Sequence, residues 1–188
     1  HDDYTEIAAT AFKTIGKSVK GLHEFTDPKA AIENAQGIFI GGGNTFVLVN
    51  QFYKNAILVP IQNAIRKGIP YLGSSAGSNI CGLTMHTTND MPIVYPPSFK
   101  TLGLVPFNIN PHYLDPISGS KHMGETRETR ITEFHAFNKQ PVIGLREGSW
   151  IDVKGNTLIL KGTLDARIFE YKKAPYELPT NSDLGFLK

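Results

Sequence analysis

The residues best suited to chemistry lie in Gly73-Ser74-Ser75-Ala76-Gly77, which follows the apolar run Ile69–Leu72 and leads into Ser78-Asn79-Ile80. A G-x-S-x-G pattern between a strand and a helix is the signature of a nucleophile elbow. Small residues flank the serine because the backbone there is crowded and often at positive φ. The turn lifts the hydroxyl clear of the sheet, and the helix N-terminus offers N–H groups to a developing oxyanion. A serine nucleophile also needs a base within hydrogen-bond reach and an acid to orient that base.

Of the six histidines, His112 is best placed. It follows Leu104–Phe107 and Ile109-Asn110-Pro111, where a sheet strand should end, and strand ends are where open α/β sheets carry ligands. His86, after the elbow helix, is the second choice. Glu147, in Gly144-Leu145-Arg146-Glu147-Gly148, stands at another expected strand end. It either orients the imidazole or is an ordinary turn glutamate paired with Arg146. Other residues are open to two readings. Gly41-Gly42-Gly43-Asn44-Thr45 either turns a backbone N–H toward an oxyanion beside Ser75 or is a glycine turn for close packing. It lacks the G-x-G-x-x-G and Walker patterns of a nucleotide site. Arg127 is a solvated ion-pairing residue or a clamp for a substrate carboxylate. Asp90 belongs to a polar turn or holds a substrate amine.

The elements that must position these residues alternate between helix and strand. Asp2–Ile15 reads as an amphipathic helix, Ser18–Phe25 as a strand, and Lys29–Ala35 as a short helix capped at Thr26-Asp27-Pro28. Gly37–Ile40 reads as a buried strand, and helices follow near Phe46–Tyr53 and Leu58–Lys67. Further on, Glu125–Phe137 is an expected helix. Pro141–Leu145, Ser149–Val153, Thr157–Leu160 and Ala166–Tyr171 are expected strands, with a hairpin turn at Lys154-Gly155-Asn156. The tail after Pro175 reads as loosely packed. The pattern predicts an α/β fold, a doubly wound, mostly parallel sheet with helices on both faces. Because the chain opens on a helix at His1, we expect one domain over residues 1–188 that lacks an N-terminal strand.

With 188 residues, 40% hydrophobic, 19% charged and a formal charge of +2, nothing argues for nucleic acid or a membrane surface. The single cysteine, Cys81, excludes an internal disulfide and fits a cytoplasmic setting. No stretch has the length and apolarity of a membrane span. Oligomeric state is left open, a homodimer included.

Several stretches together resemble the peptidase E, or α-aspartyl dipeptidase, family of serine peptidases. They are Gly41–Phe46, Gly73–Gly77, Thr87–Val94, Ile109–His112, Gly124–Arg127 and Val142–Gly148, spread in the family's order over about Ala30 to Val153. The resemblance implies a Ser75–His112–Glu147 triad, with the N–H groups of Gly43 and Ala76 forming the oxyanion hole. Arg127 would read the side chain of an N-terminal aspartate and Asp90 would help bind the substrate, a small peptide. It implies no metal and no cofactor, a class I glutamine amidotransferase-like fold, and hydrolysis of Asp-X dipeptides. A cyanophycinase-like peptidase acting on β-Asp-Arg, or a non-catalytic peptide-binding relative, is the alternative. Ser74 departs from the family, which is expected to place a bulky aromatic before the nucleophile. The loop from Asp115 to Gly124 is expected to close over the substrate.

Overall fold

The computed structural model describes residues 1–116 and 124–187. Most of the loop expected to close over the substrate lies outside the described residues.

The first half alternates helix and strand as its punctuation dictates. Helix α1 (Asp2–Lys13) carries Asp2 and Asp3 in its first turn and Lys13 in its last, matching its dipole. Helix α2 (Pro28–Glu33) is capped by Asp27, whose carboxylate accepts from the Lys29 and Ala30 N–H groups. Strand β1 (Ile38–Ile40), helices α3 (Thr45–Lys54) and α4 (Leu58–Arg66), strand β2 (Tyr71–Gly73) and the four-residue α5 (Ala76–Asn79) follow. Strands β1 and β2 pair in parallel, with Ile40 opposite Gly73. Val49, Phe52, Ile61, Ile80 and Leu102 form the core of this half.

The second half supplies β3 (Asn108–Pro111), α6 (Arg127–Phe137) and β4 (Val142–Leu145), and then β5 (Ser149–Lys154), β6 (Thr157–Gly162), β7 (Ala166–Phe169) and β8 (Tyr176–Leu178). Strand β3 pairs in parallel with β4. The order β3-β4-β7-β8 continues with antiparallel pairs, and β5–β6 is an antiparallel hairpin. The fold is α/β. The expected mostly parallel pairing is carried by β1–β2 and β3–β4, and the pairings of the strands after β4 are antiparallel.

Two expectations need correction. Ser18–Phe25 is not a strand. It contains a single 3-10 turn at Leu22–Glu24, with the Glu24 N–H donating to the Gly21 carbonyl. The Glu24 and Phe25 N–H groups bond within the turn itself rather than to a partner strand. The tail after Pro175 is not loose. It adds β8 to the sheet, and Leu184 and Leu187 are buried with Phe107, Ile109, Ile143 and Ile168. Burying each leucine side chain is worth about 2 kcal/mol.

Candidate active site

Ser75 sits between β2 and α5 at φ 55° and ψ −113°, a backbone region that L-residues rarely enter. The surrounding glycines are a steric requirement. A Cβ on Gly77 would lie 1.9 Å from the Ile40 carbonyl oxygen, and one on Gly73 would lie 2.5 Å from that of Gly77. Helix α5 therefore rests directly on the ends of both strands. The parallel register brings the triple glycine to the elbow: the Ser74 N–H donates to the Ile40 carbonyl at 3.0 Å and the Gly77 N–H to that of Gly41 at 3.1 Å. A Cβ on Gly42 would sit 3.2 Å from that of Ser75. Among the described residues, neither the Gly43 nor the Ala76 N–H donates to a protein acceptor.

Strands β3 and β4 place the other two groups. Pro111 pairs with Leu145, so the residues immediately beyond them emerge at the same edge of the sheet. His112 adopts φ 53°. Its Nδ1 lies 2.7 Å from Glu147 Oε1 and its Nε2 lies 2.9 Å from Ser75 Oγ. With the proton on Nδ1, the ring donates to the carboxylate and accepts from the serine hydroxyl. That arrangement can remove the hydroxyl proton during attack and stabilise the imidazolium that results. The pair is open to solvent, with side-chain exposures of 47% for His112 and 79% for Glu147.

Asp90 is held at the N-terminus of α3, beside the glycine turn. Its Oδ2 accepts from the Thr45 N–H (2.7 Å), the Thr45 hydroxyl (2.7 Å) and the Thr88 hydroxyl (3.1 Å). The Asn44 side chain caps the same helix through Val47 N–H and donates to the Met91 carbonyl. Arg127 is the first residue of α6, after the Thr126 cap. Burial pushes its pKa down first and Arg130 does so further, while the Asp90 charge acts in the opposite sense. Among the described residues, no carboxylate forms an ion pair with Arg127.

The remaining candidates have other occupations. His86 hydrogen-bonds Thr84, and burial lowers its pKa. His23 pairs with Asp2, and His135 bonds the Gln140 carbonyl. His122 lies outside the described residues. Arg146 does not pair with Glu147. Its guanidinium takes Asp115 and Glu177 instead.

Two supports were not foreseen. The Tyr4 hydroxyl accepts the Gly42 N–H at 3.0 Å and covers Gly41, where a Cβ would overlap it. Beneath β3, Asn89 Nδ2 donates to the Pro111 carbonyl at 2.7 Å, and the buried Asn110 donates to Asn89 Oδ1 and the Thr87 carbonyl. The polar run Thr87–Asn89 beside an Asn-rich strand was the available signal for the second. Tyr4, one position of an amphipathic helix, gave none.

The chain is similar to known proteins over its whole length. Over 187 residues the chain is 51% identical to "Peptidase E" of Streptomyces coelicolor, covering 100% of this chain and 77% of that protein. It is 50% identical over 188 residues to the "Probable alpha-aspartyl dipeptidase" of Drosophila melanogaster, covering 100% of this chain and 78% of that one. Among solved structures, a Listeria monocytogenes EGD-e protein assigned to peptidase E superposes with a TM-score of 0.59 at 23% identity. The match covers 77% of this chain and 67% of that one, a likeness of fold. The model of peptidase family S51 matches residues 1–161, and on these grounds the chain belongs to that family.

Proposed function

We propose that the chain is a serine dipeptidase that hydrolyses dipeptides and short peptides beginning with aspartate. The observation carrying this reading is the hydrogen-bonded chain from Ser75 through His112 to Glu147, built on an elbow with positive φ. Ser75 Oγ attacks the scissile carbonyl as His112 Nε2 takes its proton. The imidazolium then protonates the leaving amine, and a water deprotonated by the same ring hydrolyses the acyl-enzyme. The Gly43 and Ala76 N–H groups receive the oxyanion, each donor lowering the barrier by about 3 kcal/mol.

Arg127 reads the aspartate side chain through paired N–H donors, and Asp90 faces the free amine. A desolvated guanidinium left unmatched by a neutral side chain is costly, so Ala-X and Leu-X should be poor substrates. The two parallel pairs with the elbow at their C-terminal edge support the doubly wound, class I glutamine amidotransferase-like arrangement. Among the described residues no helix is long and apolar enough to cross a membrane, and we place the protein in the cytoplasm on its single cysteine.

The test is turnover of Asp-Leu, Ala-Leu and Leu-Leu by the parent and by Ser75→Ala. Asp-Leu should be cleaved by the parent alone and the neutral dipeptides spared. Asp-Leu left intact by the parent, or cleaved equally by Ser75→Ala, overturns the reading.

A further inference from the structure

His112 and Glu147 are each more exposed than a self-supporting ion pair would be, and exposed pairs of this kind contribute little to their own geometry. Their 2.7 Å contact must be set by the backbone on either side. We propose that Arg146 is the positioning residue that holds His112 against Glu147, by clamping the segment after β3 to the end of β4.

Arg146 directly precedes Glu147, and its side chain is 15% exposed. Its Nε and one terminal nitrogen donate to the two oxygens of Asp115, three residues beyond His112, at 2.9 and 2.7 Å. Its terminal nitrogens also reach both oxygens of Glu177 on β8, at 2.8 and 3.0 Å, and the Asp165 carbonyl. The guanidinium stacks 5.4 Å from the ring centroid of Tyr113. That ring is buried over Gly144, where a Cβ would lie 2.6 Å from it, and the Tyr113 N–H donates to the Leu145 carbonyl. One planar fork therefore grips the chain leaving His112 while its own backbone delivers Glu147. A lysine offers a single point charge and cannot span both carboxylates.

The inference rests on the peptidase reading for its kinetic arm only. In Arg146→Lys, kcat for Asp-Leu should fall about tenfold or more with KM nearly unchanged, since the substrate contacts are untouched. The 15N resonances of the His112 ring should mark a proton on Nδ1 in the parent and move toward those of mixed tautomers in the variant. Asp115→Asn, at an exposed carboxylate, should give both changes in the same direction with little risk to folding. Glu177→Gln strips the same guanidinium of its β8 partner. It should lower the melting temperature while leaving the ring resonances where they are.

Parent-like resonances and kcat in both Arg146→Lys and Asp115→Asn overturn the proposal. So does a Glu177→Gln protein that matches Asp115→Asn in both readouts, because the effect is then a general loss of stability. If Arg146→Lys does not fold, Asp115→Asn decides. If the parent does not cleave Asp-Leu, the function fails and the ring resonances still decide the clamp.

Discussion

Replacing Glu147 with glutamine removes a charge and keeps a side chain of the same length beside His112. Two unit charges 2.7 Å apart attract by about 1.5 kcal/mol at the dielectric of water and about 6 kcal/mol at an effective value near 20. The imidazolium formed during attack loses that stabilisation, which alone spans about 10-fold to 10⁴-fold in rate. The amide adds a second fault. If its NH2 faces Nδ1, the ring must carry its proton on Nε2, which faces Ser75 Oγ and can then no longer accept from it. We therefore expect kcat for Asp-Leu to drop by about 10²–10⁴. Stability should hardly change, because the pair is open to solvent and worth about 1 kcal/mol or less in folding, a melting shift of about 4 °C at most. The assay is release of free leucine at saturating Asp-Leu, with thermal melting of the same samples. A Glu147→Gln protein that works within about fivefold of the parent refutes Glu147 as the third member of the triad, as the expected loss is at least about 3 kcal/mol of barrier.

Arg127→Ala should lose about 10³-fold or more in kcat/KM for Asp-Leu at an unchanged melting temperature, and parental turnover would make Arg127 a surface charge. Hydrogen bonds from Arg146 are the first cause holding the Asp115 and Glu177 carboxyls below their ordinary 3.8 and 4.5. Their folded pKa values being depressed, the stability they lend is present above those ordinary values and lost as pH falls through the folded ones. Melting temperature should accordingly fall in acid less steeply in Arg146→Met than in the parent, and identical slopes refute the assignment. Burial pushes the Cys81 thiol up to about 12, leaving about one thiolate in 10⁴ at pH 8. A disulfide reagent should label it only after urea is added, and labelling of the native protein at the rate of a free thiol counts against this.

What the sequence made legible was local. Gly73, Ser75 and Gly77 announce the elbow because a side chain at either glycine would strike the backbone of Ile40 or Gly77. Asp27 announces α2 because a carboxylate before proline is an N-cap. His112 stands out because it follows an apolar strand, whereas Glu147 reads equally well as a turn glutamate until β3–β4 pairing brings the two strand ends together. The failures are long-range. Leu184 and Leu187 look like a loose tail until β6 and β7 provide the core they enter. Arg146 looks like a partner for its neighbour Glu147, yet its carboxylates lie 31 residues away in each direction. Sequence proximity overstated one ion pair and concealed two.

The strain in this site also has a logic. Ser75 and His112 both hold φ near +55° without being glycine, at a cost on the order of 1–3 kcal/mol each. Both are bracketed by bonds that glycine would not need. Ser75 lies between the Ser74 N–H, bound to Ile40, and its own carbonyl, which receives the Asn79 N–H. His112 lies between the Pro111 carbonyl, held by Asn89, and the Tyr113 N–H, held by Leu145. Glycine at either position would relieve the backbone and delete the hydroxyl or the imidazole. The two strained residues are thus the two whose side chains must be thrown toward each other from different parallel pairs, β1–β2 and β3–β4. The neighbouring hydrogen bonds offset the cost of the conformation that brings the two side chains into contact.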